Sequence, residues 1–347
     1  MTVELQFLRF GASTPVGRSW VSTCAAVRAG LSRLTEHPFM FDAKGRPVIG
    51  AWATYLAPTL THEQRLRALA EPALRELLRG VEIDDHTAVG LVLSVPPPRP
   101  GLPDDLTTTL IDVVAQGCLH AVPEFTDIRT VAIGNAGGLS ALAVAEEIMR
   151  DGEVELCLVG GIDSWFDPVA LEWLDQQGRL HGPQGPWGVL PGEAAAFALL
   201  GTTGLAQQLR APVLASVAGL GLGQEAITIG RQEVCLGRGL TDAWRAALGP
   251  LSSDEQVTDI YLDRNAEPYR ADEHGFSLVR CRDDFVDPSR FWTPVNAWGD
   301  AGAATGLLLA QLAVAAGLRG YARGPLAFVS TSSDTGQRAA AVLQLPT

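Results

Sequence analysis

The sequence alternates short, strongly apolar runs with longer Ala-rich amphipathic stretches, and this alternation restricts the fold more than any other feature. Runs rich in Val, Leu and Ile fit buried strands, and the Ala-rich stretches fit helices that cover a sheet. We therefore expect a largely parallel, covered sheet. The predicted strands are Val3–Phe10, Ala88–Ser94, Thr130–Ile133, Glu155–Val159, Ala194–Leu200, Pro212–Leu220, Val257–Leu262, Thr293–Ala297, Leu326–Ser330 and Ala340–Leu345.

A polar turn at Gly201–Gly204 separates two series of elements with similar content. The 347 residues, 47% of them hydrophobic, can bury one large core or two packed halves. We place the halves at 1–204 and 205–347. The clearest loops are the Pro-rich stretch Val95–Pro103 and the segment Gln177–Pro191.

The charge and the apolar segments exclude several classes of protein. A net charge of -13 argues against binding nucleic acid or an anionic membrane, because both need a basic surface. The apolar stretch Thr305–Gly317 is shorter than the about 20 residues that span a bilayer, so it predicts a buried core helix. The first residues lack a signal-peptide pattern, and we expect a cytoplasmic protein.

The cysteines and glycines give no sign of a metal or a cofactor. Cys24, Cys118, Cys157, Cys235 and Cys281 are scattered without a CxxC pair, which is typical of reduced core thiols. The run GLGLGQ at Gly219–Gln224 is an incomplete dinucleotide fingerprint. We expect neither a metal nor a bound cofactor.

Three segments combine strands, turns and helices in a specific order. They are FGASTPVGRSW (Phe10–Trp20), TVAIGNAGGLSALAVAEEIMRDGEVELCLVGGIDS (Thr130–Ser164) and GVLPGEAAAFALLG (Gly188–Gly201). Each resembles a segment of the beta-ketoacyl synthases of the thiolase superfamily, and the length of the second makes the match specific. By itself the first predicts a glycine-permitted turn and an N-capped helix.

Asn135 takes the place of the family's nucleophilic cysteine in the second segment. A helix start lowers the pKa of a thiol and offers N–H groups to an oxyanion, which suits a nucleophile. Asn lacks a nucleophilic atom for acyl transfer but is a favoured helix cap. We therefore expect Asn135 to cap the following helix and to take no part in catalysis.

Both histidines that the resemblance implies in the second half are replaced. The segment Asp259–Phe276 resembles the first histidine region, where the counterpart is Arg264 or Asn265. In Val295–Ala310 the second histidine is replaced by Asp300. The family's lysine is replaced near Val295 and Asn296, and its last loop has become the polar, turn-forming Thr331–Gln337. The vestigial pocket positions are thus Asn135, Asn265 and Asp300.

Other candidate residues favour structural roles. Glu193 resembles the family's Gly-Glu turn near the substrate entrance, where it is either a buried carboxylate satisfied by backbone N–H groups or a substrate contact. Cys118 and His120 are two residues apart, so on a helix they point to different faces. Cys157 is expected in a central strand, and His274 in a solvated loop.

The resemblance implies an α/β fold with five αβαβα layers, built from two similar βαβαβ-type halves. The half 1–204 carries the degenerate nucleophile segment, and 205–347 carries the degenerate histidine segments. The resemblance also implies a homodimer, or a heterodimer with another thiolase-like chain.

Three functions are compatible with these replacements. The first is a noncatalytic bacterial scaffold or adaptor that acts through dimerisation and partner association, for which type VI effector secretion is one context. The second is a partner subunit, or a divergent decarboxylase or acyltransferase, in fatty-acid or polyketide synthesis. The third is passive binding of an acyl chain or an acyl carrier protein. The loss of all three catalytic residues favours the first.

Overall fold

The computed structural model describes residues 4–84, 86–122, 124–183, 185–208 and 211–346, and for Gln208 it describes the backbone alone. The chain forms one large mixed sheet, a small hairpin and ten α-helices within these ranges. The strands are β1 (Gln6–Ser13), β2 (Leu34–Phe41), β3 (Pro47–Ala51), β4 (Val89–Ser94), β5 (Asp127–Val131), β6 (Leu156–Ser164), β7 (Glu193–Gly201), β8 (Ala215–Gln224), β9 (Asp259–Leu262), β10 (Phe291–Trp292), β11 (Leu326–Ser332) and β12 (Gln337–Gln344).

The helices alternate with these strands along the chain. They are α1 (Trp20–Arg28), α2 (His62–Leu77), α3 (Leu106–Cys118), α4 (Gly137–Arg150), α5 (Pro168–Gln176), α6 (Thr203–Gln208), α7 (Arg238–Leu248), α8 (Pro268–Cys281), α9 (Val295–Trp298) and α10 (Thr305–Leu318).

The large sheet has the strand order β10-β9-β11-β12-β8-β1-β7-β6-β4-β5. Strands β5, β4 and β6 run parallel, as do β10, β9 and β11, and the remaining pairs are antiparallel. The expectation of a largely parallel sheet is therefore wrong. One reason is that a tight turn joins β11 to β12, and such turns connect antiparallel strands.

The two series of five strands have the same order. If each series is numbered from its first strand, both read 3-2-4-5-1, with parallel and antiparallel pairs at the same places. The two meet where Gln6 and Phe7 of β1 pair with Ser216 and Ala215 of β8. This repetition is the pair of similar halves that the sequence predicts, while the boundary between 204 and 205 stays a prediction.

Helices lie in three layers around the two series of strands. Helices α4 and α10 contact each other and fill the middle, where their apolar side chains share a core with strands of both series. Helices α2 and α3 cover β1, β4, β6 and β7 from one side. Helices α7 and α8 cover the second series from the other. The layers are thus αβαβα, as expected.

Helix α10 is the core helix that the apolar stretch predicts. Its residues from Thr305 to Ala316 are all buried, since strands of both series surround it. Among the described residues, no helix combines the length and apolar character needed to cross a membrane.

The structure contradicts one predicted strand and adds a hairpin that was not predicted. The predicted strand Thr293–Ala297 is wrong: β10 ends at Trp292, and Pro294 leads into the short helix α9, because proline has a fixed φ that suits a helix start. The hairpin of β2 and β3 was missed. It packs on a cluster that includes Trp165 and Phe166, and its side chains do not alternate regularly. Val3 and Gln184, which belong to a predicted strand and a predicted loop, lie outside the described residues.

Candidate functional site

Asn135 lies in a short 3-10 turn, Gly134–Ala136, between β5 and α4. Gly134 adopts φ 80°, a left-handed conformation that favours glycine, and so allows the sharp change from strand to helix. The Asn135 side chain donates from Nδ2 to Oδ1 of Asp300 at 3.0 Å. No side chain caps either the turn or α4, so the predicted capping role of Asn135 is wrong. The carboxylate of Asp300 attracts the amide away from the helix.

The backbone N–H that follows Asn135 is already engaged. Ala136 donates its N–H to Oγ of Ser333, at 2.9 Å, and Ser333 lies in the turn between β11 and β12. In an acyl-transfer site a donor of this kind is aimed at the oxyanion. Here it is used to join the two halves of the molecule.

Helix α10 begins against the start of α4. A side chain at Gly306 would meet the backbone N of Leu139 at 2.9 Å, so only glycine permits this approach. The close packing leaves little free space behind Asn135.

Asp300 accepts the hydrogen bonds that surround the Asn135 side chain. Its Oδ1 accepts from Asn135 and from the backbone N–H of Gly302, the latter at 2.9 Å. Burial raises the pKa of Asp300, and the two hydrogen bonds act in the opposite direction. The two side chains pair as donor and acceptor, and neither supplies a thiol or a hydroxyl for acyl transfer.

The end of β9 adds Asp263 and Asn265. Oδ2 of Asp263 accepts from the backbone N–H of Ser332 at 2.7 Å, and burial raises the pKa of Asp263 to about 7. Asn265 donates to Glu267 Oε2 at 2.8 Å and accepts from its backbone N–H at 3.0 Å. Arg264 instead places its guanidinium over the ring of Phe291. Of the two counterparts considered for the histidine, Asn265 is the one that reaches the site.

The residues that the sequence places in the vestigial pocket line one small cavity of about 10 Å³, which has room for about one water molecule. Trp298, 1% exposed, fills the space beside them. An acyl chain does not fit. The lining residues include Asn135, Asp263, Asn265, Val295, Trp298, Asp300 and Leu309.

No cysteine lines this cavity, and all five are buried free thiols. Burial raises the pKa of Cys157, in the core strand β6, to about 12, and it does the same for Cys118. The prediction that His274 is solvated is wrong. It lies in α8, is 6% exposed, and packs between Trp244 and Phe291, because its ring completes an aromatic cluster. Burial lowers the pKa of His274 to about 4.

Glu193 forms a buried ion pair that the sequence analysis missed. Arg65 of α2 donates from Nε to Oε2 at 2.5 Å and from Nη2 to Oε1 at 2.7 Å. The backbone N–H of Ala53 and the hydroxyl of Ser164 complete the carboxylate's partners. The prediction that backbone N–H groups satisfy this carboxylate thus accounts for only one of its partners, and the others are side chains. An arginine on the apolar face of α2 was the available signal.

A second set of ion pairs joins three segments near the site. Arg179, in the predicted loop, donates to Glu267 and to Asp334, each at 2.8 Å, and Arg270 donates to Asp334 at 2.9 Å. Both charges of each pair are largely or partly buried, so losing one partner leaves an uncompensated charge. These contacts fix the loop 177–191, the start of α8 and the turn of Asp334 to one another.

One group of potential metal ligands occurs among the described residues, formed by Glu225, Cys235 and Glu273. However, Arg338 donates to Glu273 at 2.5 Å, and Gly239 donates its N–H to Glu225 at 2.9 Å. The guanidinium supplies the positive charge that a cation would bring, so we assign no metal to this group.

No protein-family model and no curated protein matches the sequence. Solved structures match over the whole chain. The ishigamide ketosynthase/chain length factor superposes with a TM-score of 0.72 at 21% identity, covering 99% of this chain and 100% of that chain. A beta-ketoacyl synthase from Burkholderia phymatum STM815 gives 0.74 at 15% identity, with 99% and 100% covered. AntDE:AntF, a type II PKS acyl-carrier protein in complex with its ketosynthase bound to the hexaketide, gives 0.79 at 13% identity, with 100% of both chains covered.

The chain therefore has the thiolase-like fold of ketosynthases and chain length factors, as the sequence resemblance implied. At these identities the likeness is one of fold. What the site does must be argued from its own residues.

Proposed function

We propose that this chain is a noncatalytic, ketosynthase-like binding protein of the bacterial cytoplasm that acts by associating with partner chains. The hydrogen bond between Asn135 and Asp300 carries the proposal, because it occupies the nucleophile position with an amide whose partner is already in place. The engaged N–H of Ala136 and the cavity of about 10 Å³ support it. Acyl transfer needs a nucleophile, an oxyanion donor and room for the thioester.

The surface proposed for association is the outer edge of β5. This strand ends the sheet, and along it Ile128, Arg129 and Thr130 are exposed. An unpaired strand edge presents backbone donors and acceptors that another strand can use. The edge leads directly into the Asn135 turn, so a partner there would rest beside the vestigial site. The partner we propose is a second copy or another thiolase-like chain.

Two contexts fit such a protein. One is an accessory or adaptor role in type VI effector secretion, with an effector or adaptor protein as partner. The other is a partner subunit in fatty-acid or polyketide synthesis. Two structural neighbours favour the role in synthesis, since one is a ketosynthase/chain length factor and another is a ketosynthase in complex with an acyl-carrier protein.

The test of the noncatalytic state uses malonyl and acyl thioesters of a carrier protein. We expect no CO₂ release and no acyl adduct in the intact mass of the protein. Release of CO₂ that disappears in both Asn135→Ala and Asp300→Asn would overturn the proposal and favour a divergent decarboxylase.

The test of association compares two exposed apolar positions by native mass spectrometry. Ile128→Lys, at 41% exposure on the β5 edge, should shift the protein from dimer to monomer. Val279→Lys, at 73% exposure on α8 in the other half, is the matched control and should leave the dimer intact. A monomeric parent protein that copurifies with no thiolase-like chain at native expression would contradict the proposal.

A further inference from the structure

A separate cleft opens on the surface between α1 and the C-terminal end of α10. It has a volume of about 320 Å³, at the lower end of the range for small-molecule sites. Trp20, Val21 and Leu318 line it with apolar surface, and Val21 and Leu318 are each 42% exposed. The cleft therefore offers water-exposed apolar area with no covering segment among the described residues.

Three polar groups lie together in this lining. They are the guanidinium groups of Arg28 and Arg319 and the hydroxyl of Tyr321, and the Arg28 guanidinium lies 4.7 Å from the centre of the Tyr321 ring. Burial raises the pKa of Tyr321, and the charges of both arginines act in the opposite direction. Arg28, Arg319 and Tyr321 are thus the cationic and hydroxyl-bearing residues of one cleft lining.

The two arginines lack carboxylate partners among the described residues. Each arginine lies at the C-terminal end of a helix, where the helix dipole favours a cation. The dipole explains a positive charge at a helix end, but it does not explain why both charges face an apolar cleft.

We propose that this cleft binds a small apolar acid, of the class of medium-chain fatty acids. The carboxylate is bound by Arg28 and Arg319, with the Tyr321 hydroxyl as a further donor. The hydrocarbon chain lies on Trp20, Val21 and Leu318. Guanidinium–carboxylate hydrogen bonds are among the strongest available to a ligand, and the apolar lining adds burial of the chain. The site does not depend on the association proposed above.

Isothermal titration calorimetry with decanoate and decanol tests this directly, because the two probes differ mainly in the charged head group. The parent protein should bind decanoate about tenfold or more tightly than decanol. In the double variant Arg28→Gln/Arg319→Gln this preference should disappear. Both side chains are exposed, so the variant should remain folded.

Arg75→Gln is the matched control, because Arg75 is also an exposed arginine in the last turn of a helix, α2, but lies outside the cleft. It should keep the parent's preference for decanoate. The proposal is overturned if decanoate fails to bind, if decanol binds equally well, or if Arg75→Gln weakens binding as much as the double variant. Binding of an acidic amphipathic peptide in place of decanoate would also overturn it, and would assign the cleft to a protein partner.

Discussion

The two ends of helix α10 differ in whether the charged side chain beside them has hydrogen-bond partners. At its N-terminal end the carboxylate of Asp300 accepts two hydrogen bonds beside a cavity of about 10 Å³. At its C-terminal end Arg319 lines a cleft of about 320 Å³ and has no carboxylate partner among the described residues. The polar groups around Asp300 are therefore engaged with one another, and the N–H of Ala136 joins residues of both halves. Free binding capacity lies at the other end of the same helix.

The largest effect is expected from breaking the Arg65–Glu193 ion pair near the N-terminal end of α10, which we call the closed end. Gly192, next to Glu193, packs on the backbone of Asp300, so the Arg65–Glu193 pair supports this region. Arg65→Met leaves the Glu193 charge buried and should lower the free energy of unfolding by about 3–5 kcal/mol, measured by urea denaturation. The double variant Arg65→Met/Glu193→Leu should recover more than half of the loss. A loss below about 1 kcal/mol in the single variant would show that the closed end is not held by this pair.

The next effect concerns the hydrogen bond between Asn135 and Asp300. Asn135→Asp puts a second carboxylate about 3 Å from Asp300, and we expect a loss of about 2 kcal/mol at pH 8. The loss should shrink toward pH 5, because one of the two carboxyl groups then takes up a proton in the folded state. Asn135→Ala removes one hydrogen bond to the Asp300 carboxylate without adding a charge, so its loss should vary with pH in the same direction but much less. Equal pH dependence in both variants would contradict this account of the pair.

A smaller effect is expected from Asp263, whose pKa in the folded state is about 7 against an ordinary value of 3.8. A raised pKa means that the folded protein loses stability as pH rises from about 4 to about 7. Asp263→Asn removes this cost and should be more stable than the parent protein by about 1–2 kcal/mol at pH 8, and not at pH 4. Thermal unfolding of both proteins across this range measures the difference. A constant difference would show that Asp263 is ionised throughout.

The smallest effect is expected at the C-terminal end of α10, which we call the open end. Arg319→Gln removes an exposed, unpaired guanidinium and should change the free energy of unfolding by less than about 0.5 kcal/mol. Compared with Arg65→Met under the same urea conditions, it measures the contrast between the two ends directly. A loss as large as that of Arg65→Met would mean that Arg319 holds the fold together and is not free for a ligand.

The alternation of apolar runs and Ala-rich stretches predicted most strands, and the resemblance to the beta-ketoacyl synthases implied the five layers. It located Asn135, Asn265 and Asp300, which the structure brings to one cavity. It could not predict the direction of the Asn135 side chain, because a helix cap and a distant carboxylate compete for the same amide. Which partner wins depends on Asp300, 165 residues away.

The ion pairs and the hairpin were not predicted, because both depend on contacts between segments that are far apart in the sequence. Arg65 and Glu193 are 128 residues apart, and their pairing follows from the packing of α2 on β7. The hairpin of β2 and β3 has irregular burial because it lies on a loop-rich cluster and not on a sheet face. The charged neighbours of His274 predicted a solvated side chain. Instead, His274 lies on the buried face of helix α8.

The hydrogen bond from Ala136 to Ser333 limits what one substitution at this site could achieve. A cysteine introduced at position 135 would find its neighbouring N–H engaged, a carboxylate opposite it and space for about one water. A working acyl-transfer site would need the N–H released, the carboxylate removed and the space enlarged as well. Installing the nucleophile alone would leave these three obstacles in place.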